Sequence, residues 1–228
     1  MGLSVPAPKL IALDTSTEAC SVALAVGEEK LERYKVLPRG HAEFILEMVD
    51  QVLAEAGLAL TALDGLSFCR GPGSFTGVRI GVGVAQGLAF GADLPVVPVS
   101  TLAALAQGVH REHGAERILA AIDARMSEVY WAAYTVDREG LVVPQTEEAV
   151  AAPERVRLPD AEPWIGAGTG WGAQREALAV GCAVRECYPE QLPRALDCLP
   201  LAARMHARGE MLPAEEALPI YLRDRVTR

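Results

Sequence analysis

Several features are scarce in this sequence, and each scarcity excludes a class of protein. Aromatic residues make up only 5% of the 228 residues, so the core must be built from aliphatic side chains. The five cysteines are odd in number and include no Cys-x-x-Cys pair. This pattern is not that of a disulfide framework or a zinc ribbon. We therefore expect reduced thiols, as in a cytoplasmic protein.

Positive charge and long apolar runs are scarce as well. The 21 basic residues are outnumbered by 30 acidic ones, which gives a net charge of −9. A free-standing nucleic-acid-binding protein would carry a basic face, so an RNA-linked role would have to act through a more basic partner. The most apolar segment is interrupted by Arg79 and Gln86, and it falls short of the ~18–20 apolar residues of a membrane span. With no signal peptide visible, we expect a cytoplasmic protein without membrane contact.

Residues that could form a reaction centre are also few. The chain has four histidines, and His110 and His113 lie three residues apart near the end of a predicted helix. A metal site on this pair is one alternative, but no acid or cysteine has a supporting spacing, and an exposed helix end explains both residues. No serine lies in a Gly-x-Ser-x-Gly motif. The sequence therefore indicates no catalytic residue and no metal site.

The most informative segment is a glycine-rich turn and helix that begins after Cys69. Glycine lowers helix propensity by roughly 1 kcal/mol relative to alanine, so several glycines in one helix need a reason. They fall in two rows with a spacing of four: Gly73, Gly77 and Gly81, then Gly83, Gly87 and Gly91. Residues four apart share one helix face, so each row forms a flat strip that another backbone can approach. The helix could pack in this way on its own sheet or on a partner, and we favour the partner.

The rest of the chain shows two halves with the same order of elements. Each half reads as three strands, a helix, a strand and a helix, and the first strand of each half ends in an aspartate, at Asp14 and at Asp123. This order predicts a duplicated α/β fold with a mixed sheet in each half. We place the two lobes at residues 1–103 and 104–228, with a last helix at 195–208 that packs back on the first lobe. Residues 144–163 are predicted as loop with a short helix, followed by a helix at 171–180.

A cleft between two such lobes suggests a ligand site at the strand ends. Hydroxyl groups and exposed amides suit a phosphate, and an aspartate suits Mg²⁺ through water. The residues predicted to bind a nucleotide there are Asp14, Thr15, Ser16, Gly168 and Thr169. The same pattern is also ordinary turn chemistry, which is the alternative interpretation.

Five strings of the sequence together resemble the TsaB (YeaZ) family. They are Ile11–Thr17, Gly71–Gly81, Val99–Leu102, Asp123–Tyr130 and Pro219–Arg223. The resemblance implies the duplicated actin-like, Hsp70-like, sugar-kinase-like (ribonuclease H-like) fold. It also implies a role in adding threonylcarbamoyl to adenosine next to the anticodon of tRNA.

The resemblance further implies a scaffold or activating subunit and not an enzyme. Members of this family bind TsaD, the catalytic paralogue, and a P-loop ATPase, TsaE, joins the complex, so that tRNA is met only indirectly and no cofactor is held. TsaD-like sequences carry two histidines four apart as metal ligands. The corresponding positions here are Thr101 and Leu105, which are not competent ligands for a transition metal. A metal-dependent glycoprotease-like peptidase and a stand-alone ATPase of the same fold remain as alternatives.

The family's partner surface uses the first two helices, here residues 41–57 and 74–92. The first of them has an apolar stripe along one side, which we expect to form a docking face together with the glycine strips. A homodimer through the same helices is the alternative arrangement. The residues predicted at this interface are Phe44, Ile45, Met48, Val52, Ser74, Gly77, Val78, Gly81, Val82 and Ala85.

Overall fold

A computed structural model describes residues 7–223 of the chain. The first half contains a mixed five-stranded sheet, sheet A, in the order β3-β2-β1-β4-β5. Strands β1, β2 and β3 form an antiparallel meander, whereas β4 and β5 run parallel to β1. The strands are β1 (Leu10–Asp14), β2 (Ala19–Val26), β3 (Glu29–Val36), β4 (Gly65–Cys69) and β5 (Val96–Val99).

The second half repeats this plan in sheet B, with the order β11-β10-β6-β7-β8 and with β9 paired to β7. Here β6, β7 and β8 form the antiparallel meander, and β10 and β11 run parallel to β6. The duplicated α/β fold is therefore confirmed. The strands are β6 (Arg117–Asp123), β7 (Val129–Val136), β8 (Val142–Pro144), β9 (Ala149–Ala151), β10 (Trp164–Ala167) and β11 (Val184–Tyr188).

Helices cover both faces of both sheets. The helices are α1 (His41–Ala56), α2 (Phe75–Ala92), α3 (Thr101–His113), α4 (Thr169–Ala173), α5 (Arg175–Gly181) and α6 (Ala195–Ala207). Helices α1 and α2 cover the outer face of sheet A, and α4 and α5 cover the outer face of sheet B. Between the sheets, α6 packs on sheet A, α3 packs on sheet B, and the two helices pack against each other.

Strand β1 shows how the sequence specifies these layers. Side chains alternate between the two faces of a strand. Leu10 and Ala12 belong to the core between the sheets, whereas Ile11 and Leu13 belong to the core under α1 and α2. Because both faces are covered, the strand reads as an unbroken apolar run.

Three details differ from the sequence-based expectation. The helix expected at 171–180 is two short helices, α4 and α5, and the segment 144–163 contains β9 as well as a short 3-10 turn. Strand β11 was not expected, because Arg185 and Glu186 are exposed at the sheet edge and interrupt the apolar pattern. The division into lobes at residues 1–103 and 104–228 stays a prediction, and its outermost residues, 1–6 and 224–228, lie outside the described residues.

Candidate functional site

The apolar stripe of α1 faces the protein's own sheet. Ile45 and Val52 are fully buried, and Met48 is only 8% exposed. All three belong to the core that α1 and α2 form with sheet A. Because these side chains are covered by their own chain, they cannot form the outer surface of the helix. Phe44 is half-buried, with the ammonium group of Lys35 3.9 Å from the centre of its ring.

The first glycine row of α2 is covered by its own chain too. A Cβ at Gly77 would overlap the carbonyl oxygen of Thr15, and a Cβ at Gly81 would lie 2.6 Å from the Thr15 hydroxyl oxygen. That hydroxyl donates a hydrogen bond of 2.7 Å to the carbonyl oxygen of Gly77. The backbone N–H of Ser74 donates to the carbonyl oxygen of Ser16 at 2.7 Å. This row therefore exists to let α2 lie directly on the loop between β1 and β2.

The second glycine row is open. Apart from the adjoining backbone of α2 itself, no atom of residues 7–223 would lie within 4 Å of a Cβ at Gly83, Gly87 or Gly91. Phe90, on the same helix, is 77% exposed, and Leu46 of α1 is 48% exposed. On α2, Ile80, Val84 and Leu88 are partly exposed as well.

The expected interface therefore needs a different set of side chains. Of the ten residues predicted from the sequence, eight are buried by the protein's own core: Ile45, Met48, Val52, Gly77, Val78, Gly81, Val82 and Ala85. Ser74 is exposed, and its hydroxyl caps α2 by accepting a bond from the N–H of Gly77. An interface on α1 and α2 stays a prediction, but the side chains that sequence periodicity assigned to it lie mostly on the buried side of each helix.

A cleft with a volume of about 1040 Å³ opens between the two lobes. Its walls are the starts of α1 and α2, the loop after β6, and residues 220–223 of the tail. Of the five residues predicted to bind a nucleotide, Ser16 and Thr169 line this cleft. Asp14, Thr15 and Gly168 do not line it.

Asp14 lies beneath the cleft and not in it. Its side chain is 1% exposed, one carboxyl oxygen accepts the N–H of Ser16 at 2.9 Å, and the other finds no partner among the described residues. Burial raises the pKa of this carboxyl group, which favours its neutral form. Gly168 is also structural, since a Cβ there would lie 2.6 Å from the carbonyl oxygen of Ala121. Nucleotide binding thus stays a prediction, and of the five residues only Ser16 and Thr169 line the cleft.

Several cleft residues were missed by the sequence reasoning. Asp123 lines the cleft, its backbone N–H donates to the hydroxyl oxygen of Thr169 at 3.1 Å, and its carboxylate binds Arg125. The duplication could have revealed Asp123, because it ends β6 just as Asp14 ends β1. His41 and Arg223 also line the cleft. No sequence signal pointed to them, since only the tertiary structure brings them together.

The alternative metal site is not assembled in the described part of the chain. His110 Nδ1 lies 2.9 Å from the carbonyl oxygen of Ala115, and the His113 ring stacks on Tyr188 at 3.8 Å. Thr101 and Leu105 are fully buried. Across residues 7–223, no group of three or more His, Cys, Asp or Glu side chains is arranged to hold a metal ion.

Comparison with known proteins identifies the family. The chain is 46% identical over 222 residues to the tRNA threonylcarbamoyladenosine biosynthesis protein TsaB of Escherichia coli, covering 96% of each chain. The chain belongs to the TsaB (YeaZ) family. A TsaB protein of Haemophilus influenzae is 45% identical over 228 residues, covering 96% of this chain and 94% of the relative.

The structural comparison agrees with this family. A solved structure of YeaZ from Pseudomonas aeruginosa superposes with a TM-score of 0.89 and 52% identity, covering 94% of this chain and 100% of the other. The family model for TsaD, tRNA N6-adenosine threonylcarbamoyltransferase, matches residues 34–168. The TsaB family thus has the duplicated actin-like α/β fold seen here. None of the helices in residues 7–223 is both long and apolar enough to cross a membrane.

Proposed function

We propose that this chain is a non-catalytic subunit of the complex that adds threonylcarbamoyl to adenosine in tRNA. The relatives are named as tRNA threonylcarbamoyladenosine biosynthesis proteins, which supports the pathway. The partner is a TsaD-like paralogue, a TsaE-like P-loop ATPase joins through the complex, and tRNA is bound by the complex and not by this chain alone.

The observation that carries the proposal is the open glycine row of α2. Each of Gly83, Gly87 and Gly91 lowers helix stability by about 1 kcal/mol relative to alanine. The first glycine row is explained by close packing on the loop between β1 and β2, but no neighbour in the described chain explains the second row. A partner backbone that approaches α2 closely would need exactly this absence of side chains.

The surroundings of the glycine row support the same surface. Phe90 offers a large exposed apolar side chain, and aromatic residues commonly anchor interfaces. On α1, exposed Leu46 extends the apolar area, while Glu43 and Glu47 supply an acidic rim. We define the docking face as Leu46, Ile80, Gly83, Val84, Gly87, Leu88, Phe90 and Gly91. A second copy of this chain is the alternative occupant.

The residues at the metal positions of the paralogue support a non-catalytic role. Thr101 is buried at the start of α3 and Leu105 lies one turn further, in the core between the sheets. Neither side chain can bind a transition metal as an imidazole would. We therefore assign the transfer chemistry to the partner and the positioning of that partner to this chain.

Charge placed on the docking face tests the proposal. Gly87→Arg and Phe90→Asp should each weaken binding to a TsaD-like protein by about 100-fold, because a charge would be buried against the partner. Binding is measured by calorimetry, and product formation by a reconstituted tRNA-modification assay. Val180→Asp is the matched control, since Val180 is also 77% exposed but lies on α5, on the opposite side of the molecule.

The control should bind normally and support full tRNA modification. Unchanged affinity of both Gly87→Arg and Phe90→Asp would show that the partner does not use this face. Val52→Asp and Gly81→Arg are unsuitable tests, because both positions are buried in the protein's own core and the variants would fail to fold.

A further inference from the structure

The tail after the last short turn crosses from one lobe to the other. In the first lobe, the tail is bound to the turn between β4 and α2. The N–H of Ile220 donates to the carbonyl oxygen of Arg70 at 2.8 Å. The carbonyl oxygen of Ile220 lies so near Gly71 that a Cβ there would come within 3.0 Å of it. Gly71 therefore allows the tail to lie directly on this turn.

The next residue of the tail is held by the first turns of α2. The hydroxyl oxygen of Tyr221 accepts a hydrogen bond of 2.7 Å from Arg79 Nε. The Arg79 guanidinium lies 3.5 Å from the centre of the Phe75 ring, and the Phe75 and Tyr221 rings are 6.0 Å apart. These contacts form a cation–π cluster that ties the tail to α2.

Arg223 then reaches the second lobe. Its guanidinium donates to the carbonyl oxygen of Ala124 at 3.1 Å and forms an ion pair with Glu128. The Arg223 side chain is only 16% exposed, so this contact is largely shielded from solvent. Ala124 and Glu128 are the two ends of the loop that joins β6 to β7.

That loop has an unfavourable backbone conformation. Arg125, Met126 and Ser127 have φ angles of 62°, 56° and 57°, which is the left-handed region that non-glycine residues rarely occupy, least of all in succession. Within the loop, the N–H of Arg125 donates to the Asp123 carboxylate at 2.9 Å, and the N–H of Ala124 donates to the carbonyl oxygen of Glu128 at 2.9 Å. Arg223 therefore binds both ends of this strained segment, at Ala124 and at Glu128.

We propose that residues 218–223 form a strap that couples the start of α2 to the loop at 124–128. Through Arg223 the strap holds the loop in its left-handed conformation, and through Tyr221 it holds the same loop at a fixed distance from α2. Residues 220–223 line one wall of the cleft, so the strap is also part of the cleft boundary. The strap does not depend on the identity of any partner.

Hydrogen exchange followed by mass spectrometry tests the strap on the full chain. In Arg223→Ala, exchange in the peptide covering 124–128 should rise by about tenfold, because the loop can leave its strained conformation. Tyr221→Phe removes only the hydroxyl group at the α2 end. If the strap transmits the constraint, this variant should also raise exchange at 124–128, by about threefold.

Arg185→Ala is the matched control, since Arg185 is an exposed arginine on the edge strand β11. It should leave exchange at 124–128 unchanged. The melting temperature of each variant confirms folding. Arg223→Lys keeps the charge but cannot make the bidentate contact, so its hydrogen-exchange rate at 124–128 should lie between those of the parent and Arg223→Ala. No change in Arg223→Ala would overturn this role of Arg223. An effect of Arg223→Ala without one of Tyr221→Phe would overturn the coupling and leave only a local contact.

Discussion

At the scale of single residues, two aspartates at corresponding positions of the two halves differ in their burial. Asp14 and Asp123 end the first strand of each half and follow similar apolar runs. Asp14 is 1% exposed, and this burial raises the pKa of its carboxyl group. Asp123 has an 18% exposed side chain that pairs with Arg125 at the cleft. The same sequence signal therefore gives a buried structural acid in one lobe and a cleft acid in the other.

The raised pKa of Asp14 predicts a pH-dependent stability. Because the folded state holds this proton more tightly than the unfolded state does, the contribution of Asp14 to stability falls as pH rises above its usual carboxyl value of about 4. Asp14→Asn keeps an acceptor for the N–H of Ser16 and removes the ionisable group. We expect it to be more stable than the parent at neutral pH, with a gain that shrinks in acid. Urea midpoints between about pH 4 and pH 8 measure this; a gain that stays constant with pH would contradict the assignment.

At the scale of elements, helix α2 uses the same residue type for two different purposes. Its inner glycines allow the helix to touch the loop between β1 and β2, whereas its outer glycines touch nothing in the described chain. Other features stabilise the helix: Ser74 is its N-cap, and Val78 and Ala85 lie on its buried side. The cost in helix propensity on the outer face is therefore not required by the fold.

Replacing one glycine of each row by alanine and comparing the stability of the two variants separates these roles. Gly77→Ala should destabilise the protein by about 3 kcal/mol or more, because its Cβ would overlap the backbone of Thr15. Gly87→Ala should stabilise it by about 0.5–1 kcal/mol, because a Cβ there meets open space and alanine favours the helix. Thermal and urea unfolding measure both. Equal destabilisation by the two variants would show that the outer row also packs against this chain.

At the scale of the whole molecule, the middle layer joins the lobes on one side and leaves a cleft on the other. Helix α6 comes from the second half, yet the N–H of Ala195 donates to the Ser21 hydroxyl of sheet A at 2.9 Å. Deeper in the same layer, the sulfur atoms of Cys69 and Cys198 lie 3.3 Å apart. The two lobes are thus packed together through α6, while the cleft lies on the other side.

Calorimetry with ATP and Mg²⁺ on the isolated chain tests the cleft. We expect no binding in the micromolar range, because Asp14 is buried and does not line the cleft, and α2 covers the loop at Thr15. Adenosine titrated alone serves as the control for weak, non-specific binding. Micromolar affinity for the nucleotide, lost in a Thr169→Val variant, would instead support the nucleotide site and the stand-alone ATPase.

The sequence by itself determined the duplicated α/β plan and the two helices of the candidate surface. Periodicity and composition are local properties, so the apolar run of β1, the stripe of α1 and the glycine rows could be read directly. Only the tertiary structure decided which side of each helix remains exposed, because an apolar stripe looks the same whether it packs on its own sheet or on a partner. It alone also brought Arg223 to the loop at 124–128, since contacts between residues about a hundred positions apart leave no periodic pattern in the chain.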